Sequence, residues 1–123
     1  MGKSSRRRNL KDYIPQRGDF IRLTFNPQAG HEQMGTRPAL VLSKDQFNLK
    51  MGFIFVCPIS NTTRKNPFYV AIPDNEFVTG VIMTDQLRSL DYRARNASFI
   101  SKCPTFLLLE VLKRIKPILF DST

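Results

Sequence analysis

Residues 53–59 read Phe-Ile-Phe-Val-Cys-Pro-Ile, apolar at every position, with Gly52 before them and a polar segment after them. The run is far shorter than the roughly 20 residues a membrane-spanning helix needs. Its length, its aromatic and β-branched content and its flanks predict a strand buried on both faces. Shorter strands surround it. From Asp19 to Phe25, Ile21, Leu23 and Phe25 fall on one side and Phe20, Arg22 and Thr24 on the other, the period-two pattern of a half-buried strand. Asn26-Pro27-Gln28-Ala29-Gly30 breaks it into a loop. Ala39-Leu40-Val41-Leu42, after Pro38, predicts a second strand, and Ser43 is placed to cap a brief helical turn through Lys50. Ser60 to Asn66 reads as a loop, Phe68 to Ile72 and Val81 to Thr84 as further strands, and Arg88 to Ile100 as mostly extended.

The last element differs in period. Leu107, Leu108, Val111, Leu112 and Ile115 form an apolar stripe at helical spacing, while Glu110, Lys113 and Arg114 lie off it. Pro104 suits the first helical position and Pro117 is expected to end the helix. Short strands followed by one helix predict a mainly β fold, a small, strongly bent sheet or barrel with the C-terminal helix packed on it.

At 123 residues the chain has the length of one domain. Residues 1–12 carry no apolar periodicity and are expected to be a basic, disordered arm, leaving 13–123 as the domain. With 41% hydrophobic and 24% charged residues the composition is that of a globular protein. No apolar stretch marks a secretory signal or a membrane span, and Cys57 and Cys103 fit neither a disulfide framework nor a zinc spacing. A reducing cytoplasm is the expected compartment. Lys3, Arg6, Arg7, Arg8 and Lys11 against Asp12 put +4 of the net charge of +9 on residues 1–12, so +5 remains on the rest. A body that is basic without its arm points to a phosphate-rich or acidic partner.

Polar residues cluster beside three strand ends: Gly30 to Arg37, Ser60 to Lys65, and Thr84 to Arg88. The first brings His31, Glu32 and Arg37 within seven residues, a possible proton acceptor, proton donor and cation for a phosphoryl charge. On spacing alone it also reads as a solvated loop with a surface ion pair. Neither a Gly-x-x-x-x-Gly-Lys phosphate loop nor a Gly-x-Gly-x-x-Gly fingerprint is present, and no acidic cluster suits magnesium. Cys57, inside the apolar run, reads as core.

The string Gly30-His31-Glu32-Gln33-Met34-Gly35-Thr36-Arg37-Pro38-Ala39-Leu40-Val41-Leu42-Ser43 resembles the signature loop and strand of the MazF/PemK (Kid) family of bacterial toxins. Arg17-Gly18-Asp19, Phe25-Asn26-Pro27, Pro58-Ile59-Ser60, Pro67-Phe68, Gly80-Val81, the run from Asp85 to Leu90 and Arg93-Ala94-Arg95 extend the resemblance over about Tyr13 to Leu119. It implies an SH3-like barrel with a C-terminal helix, assembled as a homodimer. It further implies a cytoplasmic endoribonuclease, working without metal or cofactor on single-stranded RNA and neutralised by a cognate acidic antitoxin. No membrane partner is implied.

By the same resemblance Arg37 holds the scissile phosphate. Ser60 stands where relatives carry a phosphate-contacting threonine. His31 matches a histidine at the phosphate, and Glu32 and Asp85 match carboxylates proposed as base in different branches. Met83 departs from the pattern: the Kid branch has a proposed acid, an arginine, there. Gln86 falls in the RNA-binding set with the loop basics Arg64, Lys65, Arg88, Arg93 and Arg95. Phe20, Phe68 and Tyr92 are candidates to stack on bases, against core packing as the alternative. Two further functions are compatible with such a barrel: a gyrase-poisoning toxin of the CcdB type, and a non-catalytic single-strand binder. The RNA target sequence is not legible, because it depends on loop geometry.

Overall fold

The computed structural model describes residues 13–25 and 35–120. The expected arm at 1–12 and the expected loop opened by Asn26 lie outside the described residues. Seven strands form one bent sheet: β1 (Asp19–Thr24), β2 (Thr36–Val41), β3 (Phe53–Ser60), β4 (Tyr69–Ala71), β5 (Val81–Met83), β6 (Arg88–Asp91) and β7 (Ser98–Lys102). Helix α1 (Asp45–Met51) lies between β2 and β3, and α2 (Thr105–Leu119) closes the order. Every pairing is antiparallel, in the order β4-β5-β3-β2-β1-β7, with β6 also on β3. No pairing among the described residues joins β4 to β7, so the barrel-like sheet stays open.

β3 organises the molecule. One edge pairs with β2; the other is shared, β6 taking Phe53 to Val56 and β5 taking Ile59 and Ser60. The 3-10 turn Thr84–Gln86 therefore crosses from β5 to β6 where β3 changes partner. The sheet has a core on each face. Ala39 and Val41 point into a cluster with Ile21, Leu23, Phe25, Ile54, Val56, Leu90 and Tyr92. Leu40 and Leu42 point the other way, into a cluster with Phe20, Cys57, Ile59 and Ile82 that α2 covers through Leu107, Val111 and Ile115. Two filled faces explain why residues 39–42 show no polar alternation.

Four expectations need correction. β3 is buried on both faces only from Val56 onward: Phe53 and Phe55 share the face of Cys57 and Ile59 but stay exposed beyond the part of it that α2 covers, and Phe55 packs its ring 5.8 Å from Phe47 of α1. Ser43 does not cap α1, whose N-cap is Lys44. Its hydroxyl instead donates to Asn48 Oδ1 (2.6 Å) and accepts the Phe55 amide (2.9 Å), tying the helix to β3. Pro104 is the N-cap of α2 rather than its first residue. Pro117 does not end α2, which continues to Leu119: in the last turn a proline forfeits one hydrogen bond, and the Phe120 amide still reaches the Lys116 carbonyl at 2.8 Å. Between Arg88 and Ile100, β6 and β7 are separated by a turn in which Asp91 Oδ1 accepts the amides of Arg93 and Ala94 and Asn96 takes φ +55°.

Candidate active site

Position 80 shapes the β5 edge of the site. Gly80 has φ +117°, and a Cβ there would run into the Ser60 carbonyl, so only glycine lets β5 start this close to the end of β3. At the start of the turn after β5, Thr84 is buried and its hydroxyl donates to the Phe68 carbonyl at 2.5 Å. That bond fixes the turn that carries Asp85 and Gln86.

Along β2, Arg37 shares the face of Ala39 and Val41, but it sits where that core ends and solvent begins. Pro58 and Ser60 alternate with Cys57 and Ile59, which point into the α2-side core, and so they face the same way as Arg37. The result is a pocket of about 230 Å³ lined by Phe25, Arg37, Ser60, Met83, Gln86 and Arg88 together with Pro58 and Ile59. Four polar or cationic groups thus arrive from β2, β3, the 3-10 turn and β6. The Arg88 guanidinium lies 5.2 Å from the centre of the Phe25 ring, a cation–π contact that restrains a long side chain. Ser60 Oγ accepts the Thr62 amide at 3.1 Å, which leaves the hydroxyl proton able to point elsewhere.

The other sequence candidates fall in different places. Asp85 is exposed on the turn and is not part of the pocket lining; its charge adds to burial in pushing the Cys57 thiol from 9.0 up to about 12. His31 and Glu32 lie outside the described residues. Arg64 and Lys65 are exposed on the loop beyond Ser60 and line a second groove. Arg95 Nη1 donates to the carbonyls of Phe25 (2.6 Å) and Thr24 (3.2 Å), so its guanidinium braces the end of β1. Arg93 is exposed over the Tyr92 ring, at the opposite end of β6 from Arg88. Phe20 and Tyr92 are buried in the two cores and have no face for a base, whereas Phe68 is half-buried. Sequence reasoning did not single out Phe25 as an arginine support. The only signal was its place at the end of the alternating β1 pattern.

The comparisons with known proteins decide the family. Residues 16–119 match the PemK-like, MazF-like toxins of type II toxin–antitoxin systems. The chain belongs to this family. The endoribonuclease toxin MazF of Escherichia coli K12 is 40% identical over 86 residues, covering 70% of this chain and 77% of that protein. A crystal structure of MazF from Deinococcus radiodurans superposes with TM-score 0.79 at 42% identity, over 88% of this chain and 98% of the other. A MazE–MazF crystal structure from the same organism gives 0.80 at 35% identity, over 90% and 100%. The class is that of the endoribonuclease toxins. For such a toxin the pocket is notable in holding Met83, which has no proton to give. Among the described residues no three His, Cys, Asp or Glu side chains gather as a metal site would require, and no helix is long and apolar enough to cross a membrane.

Proposed function

We propose that this MazF-like toxin cuts single-stranded RNA by making each target linkage break itself. The 2′-hydroxyl loses its proton to a base and attacks the adjacent phosphorus. The O2′–P bond forms, the P–O5′ bond breaks, and O5′ takes a proton, leaving a 2′,3′-cyclic phosphate and a 5′-hydroxyl. No metal is needed, because the charge that builds on the phosphorane can be met by fixed cations. The observation that carries this reading is the convergence of Arg37, Arg88, Ser60 and Gln86 on one small pocket. Arg37 and Arg88 bind the phosphate and stabilise the transition state. The Ser60 hydroxyl, its oxygen already engaged by the Thr62 amide, donates to a non-bridging oxygen. Gln86 orients the linkage. With Met83 at the rim, Arg37 or His31 is left to protonate O5′, and Glu32 and Asp85 are the competing bases.

The test is incubation of pure protein with a long unstructured RNA and a chelator, with the product ends analysed. Cyclic phosphate ends are expected, and a single 2′-deoxy substitution should abolish the cut at its own site. RNA that stays intact with well-folded protein overturns the reading. Arg37→Ala should lower the cleavage rate by about a hundredfold or more, as losing one preorganised charge stabiliser does. Near-normal cleavage by the folded variant would remove Arg37 from the mechanism.

The same reading makes the protein a cytoplasmic homodimer inhibited by a cognate acidic antitoxin that covers the basic pocket. The MazE–MazF neighbour and the net charge of +9 support the antitoxin. The exposed apolar side chains, among them Phe53, Phe106, Leu109 and Phe120, support a second copy. A monomer by light scattering at micromolar concentration would contradict the dimer.

A further inference from the structure

Arg88 and Leu90 alternate with Ser89 along β6, and their pairing with Val56 and Ile54 turns them toward the core that holds Phe25. Leu90 is buried there, but Arg88 lies where that core ends and the pocket begins. An arginine at such a place has a long, mobile stem, and a cation stabilises a developing charge best when it is held before the reaction. Arg17 and Arg95 are held by backbone carbonyls, and each spends an N–H group on them. Arg88 is held differently, with its guanidinium carbon 5.2 Å from the centre of the Phe25 ring. That attraction joins the face of the ring to the charge of the cation. It consumes no N–H donor, so the edges of the guanidinium stay available to a phosphate.

The ring in turn is fixed by its surroundings. Phe25 is 8% exposed, packed in the core and still part of the pocket wall. Its amide donates to the Gly35 carbonyl and the Thr24 amide to the Arg95 carbonyl, both at 3.0 Å. Arg95 Nη1 returns a bond to the Phe25 carbonyl at 2.6 Å. The end of β1 is thus pinned by the residue before β2 and by the turn before β7, and the ring follows its backbone. We propose that Phe25 is a positioning residue, which holds Arg88 in the orientation that meets the scissile phosphate and touches no reacting atom itself. The inference rests on the endoribonuclease reading and gives the ring a task in it beyond core packing.

The substrate for the test is a short oligonucleotide built around a cut site mapped on a long RNA. Replacing Phe25 by a phenylalanine with fluorinated ring edges keeps the shape and drains the negative ring face. kcat/KM should fall about fivefold, the weight of one cation–π contact. Phe25→Leu, which fills the core without a ring, should lose at least as much. In an Arg88→Gln background neither change should cost anything further, because the cation on which the ring acts is gone. A fluorinated protein with full activity, or an equal loss in the Arg88→Gln background, means that the ring acts by bulk alone and overturns the proposal. An Arg88→Gln protein that cuts normally overturns it too. A second readout does not need cleavage. NMR relaxation of the Arg88 Nε–H in the free protein should report an ordered side chain, and the fluorinated ring should loosen it. The Arg17 Nε–H, held by the Leu42 carbonyl at 2.6 Å, should stay as ordered as before. Equal order of Arg88 with either ring overturns the proposal even if cleavage drops. Order that the fluorinated ring destroys, in a protein whose original form never cuts RNA, leaves the ring–guanidinium hold standing and refutes the endoribonuclease reading instead.

Discussion

Asn48 ties together three parts of the chain. It is fully buried; its Nδ2 donates to the carbonyls of Pro15 (2.8 Å) and Ser43 (3.1 Å), its Oδ1 accepts the Ser43 hydroxyl, and its own carbonyl accepts Tyr92 Oη at 3.2 Å. Asn48→Ala strips the donors from buried carbonyls and should destabilise the fold by about 3 kcal/mol, since each stranded polar group costs roughly 1–3 kcal/mol. The urea midpoint should fall with an unchanged m-value, and a midpoint within error of the original would show that water replaces the amide. Cys57 sets a pH limit. Burial first and Asp85 second push its thiol from 9.0 up to about 12. The unfolded thiol ionises near 9 while the folded one keeps its proton, so the stabilisation is complete below pH 9 and drains away as pH rises from 9 toward 12. Between those values the thiol contributes a loss of about 1.4 kcal/mol per pH unit. Denaturation followed from pH 8 to 11 should show at least that slope, since Cys103 is pushed up to about 12 as well, and Cys57→Ala should reduce it by one proton; an unchanged slope assigns it elsewhere. The core place of Cys57 was legible from its apolar neighbours. The role of Asn48 was not, because its Pro15 partner is 33 residues away and nothing local marks it.

Elements were legible where one face repeats. The α2 stripe predicted both the element and its inward side, and Leu107, Val111 and Ile115 are the buried residues of α2; the β1 alternation predicted the strand and the inward Ile21, Leu23 and Phe25, but not that Phe20 on the other side is buried in the second core. Legibility failed where tertiary cover decides. Phe53 and Phe55 are as apolar as Cys57 and Ile59 and share their face, but α2 shields only the second pair, and no residue within β3 records how far a distant helix reaches. The pocket follows the same rule: Arg37, Ser60, Gln86 and Arg88 stand on four segments, and only a resemblance could group some of them before the sheet was known to bend. Gly80 links element to site. Gly80→Ala meets both a φ of +117° and the Ser60 carbonyl, so β5 or the end of β3 must move. Strain of this kind costs about 1–3 kcal/mol, and Ser60 shifts with it. The variant should remain folded with a lowered thermal midpoint and lose cleavage out of proportion to its remaining folded fraction. Full activity per folded molecule would mean that Ser60 stays in place or is not needed.

At the scale of the whole molecule, the question is whether a net charge of +9 acts as a diffuse attraction or as a one-sided track. α2 covers one face of the sheet, while the phosphate pocket and the adjoining groove open on the other. A one-sided track makes a specific demand on salt dependence, because each phosphate neutralised on a single strand contributes about −0.7 to the slope of log K against log salt. Arg37, Arg88, Arg64 and Lys65 together then account for a slope of about −2.8. With an uncleavable oligonucleotide spanning both cavities, Arg64→Gln and Lys65→Gln should each make the slope shallower by about 0.7. Lys113→Gln, an exposed position on α2 behind the sheet, should leave it unchanged. A diffuse field would instead weaken binding equally for all three substitutions, since each removes the same unit of net charge. The contrast between Lys65 and Lys113, equal in charge and opposite in face, therefore separates a built RNA surface from a merely basic protein.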